Sequence, residues 1–272
     1  MITDGDQRLI DRHLDHLARL GRRDRTIEAR RDELRRFLTL QRVTFATATR
    51  DDVEARLRLS LSVASRRVYL AHLRGFFRWA VDEELLANDP TRRVVPPRQP
   101  RSLPRPIAEA TLAQALAVAP PLERAWMLLA ACAGLRACEI GPIRGEHISR
   151  STSPTLFLPE CKGGGEATVP LSQVLLAELD QWPATGWLWK SDGPYHATVV
   201  SRRVGIVLHS VGFAGGLHTL RHRFGTIAYR ESRDIRLVQE LMRHASPATT
   251  AGYTAFDLRE GRALVDAMPI PA

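Results

Sequence analysis

Residues 217–253 read LHTLRHRFGTIAYRESRDIRLVQELMRHASPATTAGY. Helical periodicity runs through them at about 218–231, 234–243 and 247–255, so short helices joined by tight turns build this part of the chain. His218 and Arg221 stand at i and i+3, which sets an imidazole beside a fixed cation on one helix face. Alone, that HxxR pattern has low specificity. His218 and His222 are also at i, i+4, but Thr219 stands where a zinc hydrolase of the HExxH type has its glutamate, and that match fails. Ser246-Pro247 is a helix-start signal; it ends one helix at His244 and leaves Tyr253 two turns into the next, where the two side chains can converge. A tyrosine in a helical run usually packs half-buried, yet a polar neighbourhood for its hydroxyl permits its use as a nucleophile.

Working outward, the period changes between 155 and 171. TLFLPE, CKGGG and EATVPL read as two short strands around a glycine turn, a β-hairpin that carries Lys162. Helical patterns flank it at about 108–118, 122–133, 171–181 and 197–211, and Gly134 is placed to cap the apolar WMLLAACAG run. Residues 88–106, NDPTRRVVPPRQPRSLPRP, have no hydrophobic period. Proline holds such a segment extended and removes amide donors, so it reads as a linker between two domains.

Before the linker, Ile10, Leu14 and Leu17 stripe a helix of about 5–20. A second starts near Arg25-Thr26 with Ile27, Leu34, Phe37 and Leu38 inward and Arg30, Arg31 and Arg35 more outward, and a short one follows Thr49. In the fourth, about 63–86, Tyr69, Leu73, Phe76 and Ala80 form the expected buried stripe. Arg67, Ala71, Arg74 and Arg78 lie about 200° around the helix from it, a cationic face that is either simply solvated or binds phosphate. The expectation is a mainly α (α+β) protein: a helical domain at 1–87, the linker at 88–106, and a mostly helical domain at 107–272 with a small hairpin. The tail DLREGRALVDAM adds one more short helix.

Composition narrows the function. The 272 residues carry 39 basic against 30 acidic side chains, a formal charge of +9, which favours a polyanionic partner. Of the basic residues only Lys162 and Lys190 are lysines. GC-rich coding explains such a bias, and guanidinium groups that fork onto phosphate oxygens are compatible with it. With 44% hydrophobic and 25% charged residues the chain is neither disordered nor fibrous. It lacks an 18-residue apolar run and a signal-peptide layout, so a cytoplasmic location with no membrane role is expected. Cys132, Cys138 and Cys161 form no CxxC pair and read as small buried apolar residues rather than disulfide or zinc partners.

Taken together, Gly134-Leu135-Arg136-Ala137-Cys138-Glu139, Lys162, His218-Thr219-Leu220-Arg221, His244 and Tyr253 resemble the pattern of tyrosine recombinases of the phage integrase family. That pattern is a GLR-xx-E arginine, a hairpin lysine, HxxR, and a histidine or tryptophan nine residues before the tyrosine. The resemblance covers nearly the whole chain, and the six positions occur here in order. It implies that Arg136 and Arg221 stabilise the charge on a pentacoordinate phosphate, that Tyr253 attacks it to form a 3′-phosphotyrosine, and that Lys162 protonates the leaving 5′-hydroxyl. His218 takes up the tyrosine proton or assists by hydrogen bonding, and His244 bonds a phosphate oxygen. The covalent ester conserves the bond energy, so no ATP, metal or other cofactor is required. Glu139 either positions Arg136 or is an ordinary helix acid. Arg243 stands where a glycine commonly precedes the second histidine, and adds either a phosphate contact or a surface charge.

The resemblance also implies partners: double-stranded DNA core or attachment sites, clamped between the two domains, and a homotetramer on two duplexes passing through a Holliday junction. The C-terminal segment is then exchanged between protomers or docked on its own domain, and an excision or host accessory factor takes part in control. Arg67, Arg74, Arg78 and Arg243 are the candidate DNA-facing side chains. The chain begins almost at the first core-binding helix, so it most resembles compact integrases of actinobacterial phages or mobile elements in the cytoplasm of a bacterial host. The alternatives are a chromosome-dimer resolving recombinase, a relaxing enzyme of the type IB topoisomerase kind, and a degenerate DNA-binding accessory protein.

Overall fold

Four helices open the chain: α1 (Asp4–Arg19), α2 (Asp24–Gln41), α3 (Arg50–Arg58) and α4 (Val63–Asp82). The computed structural model describes residues 2–59, 62–98, 106–161 and 165–243. Local chemistry starts these helices. The Thr3 hydroxyl accepts the amide of Asp6, and Thr49 and Asp52 form a reciprocal capping box at the head of α3. Ile10, Leu14, Leu34, Phe37, Leu73, Phe76 and Phe77 meet in a closed apolar core.

The stripe of α4 is wider than the periodicity indicates. Leu70, Phe77 and Trp79 join Leu73, Phe76 and Ala80 inside, whereas Tyr69 is only half-buried, with the Arg56 guanidinium 4.4 Å over its ring. Arg30 is not outward: it donates to the His72 carbonyl at 2.6 Å. Space for it exists because Gly75 has no side chain; a Cβ there would clash with the Arg30 Nη1. Arg56 and Glu33, each 2% exposed, form an ion pair at 2.8 Å that apolar periodicity does not reveal.

Part of the segment read as a linker is packed. Thr91 and Val94 are buried, and Arg74 donates to both their carbonyls at 3.2 and 2.6 Å, while Arg67 donates to that of Pro97 at 2.9 Å. Residues 91–97 therefore lie on the cationic face of α4 and belong to the first of two compact units, Met1–Arg101 and Ser102–Ala272.

The second unit is built around α6 (Pro121–Cys132), whose Trp126, Met127, Leu129 and Ala130 are fully buried. Proline at its first turn forfeits no helical hydrogen bond. Around α6 stand α8 (Gln173–Leu179), α9 (Ala197–Ser210) and α10 (Leu217–Ser232), and α5 (Glu109–Val118) packs on α9; α7 (Ala137–Ile140) and α11 (Ile235–Leu241) are short. Three strands, β1 (Ile148–Ser149), β2 (Thr155–Leu158) and β3 (Ala167–Pro170), pair antiparallel in that order. The expected hairpin is β2–β3, with Leu156 opposite Val169 and both buried. Two residues are too few for β1 to show a period. The architecture is mainly α with a small sheet.

Of the cysteines only Cys161 is buried. Cys132 and Cys138 are exposed because one ends α6 and the other lies on the outer side of α7. The helix expected at 247–255 and the tail lie outside the described residues.

Candidate active site

The site begins where α6 ends. Gly134 adopts φ 64°, and the Leu135 amide reaches back to the Leu129 carbonyl at 3.2 Å, closing the helix end over a left-handed glycine. Glycine is needed twice over, because a Cβ at this position meets Phe224 Cδ1 at 2.5 Å. The reversal places Arg136 as the residue capping α7, and it exposes the Gly134 carbonyl to two arginines from distant segments.

Glu139 is the hub. Its carboxylate accepts the Arg136 amide at 2.8 Å and Arg136 Nη1 at 2.7 Å. Arg243 Nη2 lies 2.9 Å from Glu139 Oε2, and Arg221 Nη1 lies 3.9 Å from the same oxygen. Burial pushes this carboxyl up, but Arg243 and Arg136 outweigh it and hold Glu139 below the ordinary glutamate range. Three guanidinium groups thus surround one carboxylate and leave a surplus of positive charge in a largely dry place. Backbone carbonyls satisfy what Glu139 does not. Arg136 Nη2 donates to the carbonyls of Met242 and Arg243 at 3.3 and 3.1 Å, and Arg221 donates to those of Gly134 and Met242.

Exposure sorts the arginines. Arg136 is 16% exposed, whereas Arg221 at 1% and Arg243 at 9% are interior. Arg243 is therefore no surface charge: its Nη2 also donates to the Gly134 carbonyl at 2.9 Å and its Nη1 to that of Leu241 at 2.8 Å, while its buried Nε has no acceptor among the described residues. The backbone at Arg243 is left-handed, φ 52°, which turns its own carbonyl towards Arg136.

His218 is exposed in the first turn of α10, one turn before Arg221. Its ring meets that of His222 edge to face, centroids 4.4 Å apart. Burial, then the Arg221 charge, lowers the His222 pKa, so this second ring is neutral at physiological pH. Between β2 and β3 the Cys161 amide donates to the Gly165 carbonyl at 2.8 Å; Lys162, His244 and Tyr253 lie outside the described residues. Arg136 and Arg221 both reach Glu139 and the Met242 carbonyl. Glu139 takes the positioning alternative of the sequence reading, signalled by a glutamate three residues after Arg136, whereas the inward course of Arg243 onto Glu139 is neither of the two alternatives read for it, a phosphate contact or a surface charge.

Arg67 and Arg74 make their described hydrogen bonds to carbonyls of residues 91–97, and Arg78 is exposed; all three belong to the first unit. Among the described residues no helix is long and apolar enough to cross a membrane.

Comparison with known proteins shows the family of the chain. The model of the "Phage integrase family" matches residues 108–259, a span that includes Arg136 through Tyr253. Tyrosine recombinase XerD of Caulobacter vibrioides is 31% identical over 222 residues, covering 72% of this chain and 71% of that protein. Among solved structures, the integrase from mycobacterium phage Brujita is 28% identical, with 95% of this chain and 91% of that one covered and a TM-score of 0.50. A lambda integrase tetramer bound to a Holliday junction is 16% identical, with 91% and 76% covered and a TM-score of 0.74, a likeness of fold.

Proposed function

Because the chain belongs to the phage integrase family, whose members are tyrosine recombinases, we propose that it breaks and rejoins DNA at a specific site with Tyr253 as nucleophile. The observation that carries this reading is the cluster of Arg136, Arg221 and Arg243 around the single carboxylate of Glu139. A scissile phosphate supplies the anionic oxygens that surplus charge requires, taking over from the carbonyls of Met242 and Arg243. Tyr253 Oη attacks phosphorus, the P–O5′ bond breaks, and the 3′-phosphotyrosine retains the energy for rejoining. Lys162 delivers the proton that the departing 5′-oxygen needs; His218 takes the tyrosine proton or hydrogen-bonds the phosphate, and His244 holds a phosphate oxygen.

The site acts in a tetramer on two DNA duplexes, a reading supported by the lambda integrase tetramer on a Holliday junction. Both units, Met1–Arg101 and Ser102–Ala272, contribute to DNA binding, with the exposed Arg78 of the first facing the DNA backbone and an accessory factor setting direction. The likeness to the Brujita integrase favours integration of a mobile element. The XerD relative favours the second reading, resolution of chromosome dimers.

The deciding experiment incubates the wild type and Tyr253→Phe with nicked suicide duplexes made from fragmented genomic DNA. A denaturant-resistant adduct on one discrete sequence with the wild type alone supports the reading, and that sequence separates an attachment site from a chromosomal resolution site. DNA binding without any wild-type adduct points to the accessory protein instead.

A further inference from the structure

Four groups close a ring in the second unit. Arg136 pairs with Glu139, Glu139 with the Arg243 guanidinium, and the Arg243 carbonyl accepts Arg136 Nη2. The same guanidinium spans to the Gly134 carbonyl at the start of the arginine-bearing turn. Arg243 thereby ties the end of α11, immediately before His244, to the loop that carries Arg136. It does so at φ 52°, a conformation costly for any residue but glycine, so the ion pair and its hydrogen bonds offset local strain.

We infer that Arg243 is a positioning residue for phosphate capture: it occupies the Glu139 carboxylate so that Arg136 and Arg221 keep charge to spend on the scissile phosphate, and it ties the end of α11 to the loop that carries Arg136. The inference rests on the recombinase reading above. Without Arg243, Glu139 is shared by two cations instead of three, and Arg136 is neutralised more fully by its neighbour. The groups facing Glu139 are the guanidiniums of Arg136, Arg221 and Arg243 and the thiol of Cys161, so loss of one cation leaves burial to push the carboxyl up.

The test uses the full chain, single-turnover cleavage of the same suicide duplexes, and four variants: Arg243→Gly, Arg243→Lys, Glu139→Gln and the Arg243→Gly/Glu139→Gln double variant. Glycine takes φ 52° without strain, which guards against misfolding, and the lysine variant keeps the charge if the glycine variant is unstable. Cleavage at saturating DNA is expected to fall about 10–100-fold in Arg243→Gly with affinity changed less than about threefold, the mark of an interaction felt in the transition state. The acidic limb of the rate–pH profile moves to higher pH in the glycine variant and back towards wild type in Arg243→Lys. The double variant cleaves no more slowly than Glu139→Gln alone, since both changes break one linkage.

Cleavage by Arg243→Gly at the wild-type rate overturns the inference. So does a loss of affinity with a salt slope smaller by about one, which marks Arg243 as a direct phosphate contact. So does a slower rate with an unmoved acidic limb, which marks a structural role only. Absence of a wild-type adduct removes the recombinase reading and the inference with it, whereas a wild-type adduct with an unaffected glycine variant overturns the inference alone.

Discussion

At the residue scale the protein places its charges against opposing demands of burial. Arg221 is almost wholly enclosed, so its charge is preorganised by the Gly134 and Met242 carbonyls before any phosphate arrives. Arg221→Ala is expected to lower single-turnover cleavage by about 10²–10³-fold, the usual loss for a preorganised donor to a developing anion, with DNA retention in a gel shift changed far less. His13 shows the reverse case. It is 1% exposed, wedged against Phe76 and Trp79, and pushed down to about 3 by burial, then by Arg30 and His16. In the unfolded chain this imidazole takes a proton near its ordinary value, so between pH 6.5 and about 3 the unfolded state binds more protons. The denaturant midpoint of the first unit should therefore fall steadily as pH drops below 6.5. His13→Leu should flatten that slope in part, because His72, lowered to about 4 by burial and then Arg30, titrates in the same direction.

At the element scale, helix ends and single pairs decide more than helix interiors. The Glu33–Arg56 pair joins α2 to α3 with both partners 2% exposed. Glu33→Gln leaves a buried guanidinium uncompensated and is expected to cost about 3–5 kcal/mol in urea unfolding. Gly134→Ala forces a Cβ on the Phe224 ring at a left-handed backbone position. A loss of about 1–3 kcal/mol is expected, accompanied by slower cleavage because the Gly134 carbonyl holds both Arg221 and Arg243. Most of the helices were legible because they carry three or more turns of apolar period or a capping residue; α3 announced itself by Thr49 and Asp52. Strand β1 and helix α7, two and four residues long, were not, since tertiary pairing and not local pattern creates them.

For the whole molecule the dominant quantity is charge. A formal +9 concentrated in arginine makes association with a polyanion steeply salt-dependent. If about six phosphates are neutralised, affinity should fall by about 10³-fold between 50 and 200 mM salt, measured by anisotropy of labelled duplex DNA. The sequence by itself determined the mainly α class, the hairpin, and the order of Arg136, Lys162, His218, Arg221, His244 and Tyr253, because period, turn chemistry and motif spacing are written along the chain. Only the tertiary structure decided that Arg30 turns inward, that residues 91–97 lie on α4, and that Glu139 is shared by three arginines. Those outcomes depend on which segments meet in space and on whether a buried charge finds an opposite one there, and neither is encoded in the spacing of neighbours along the chain.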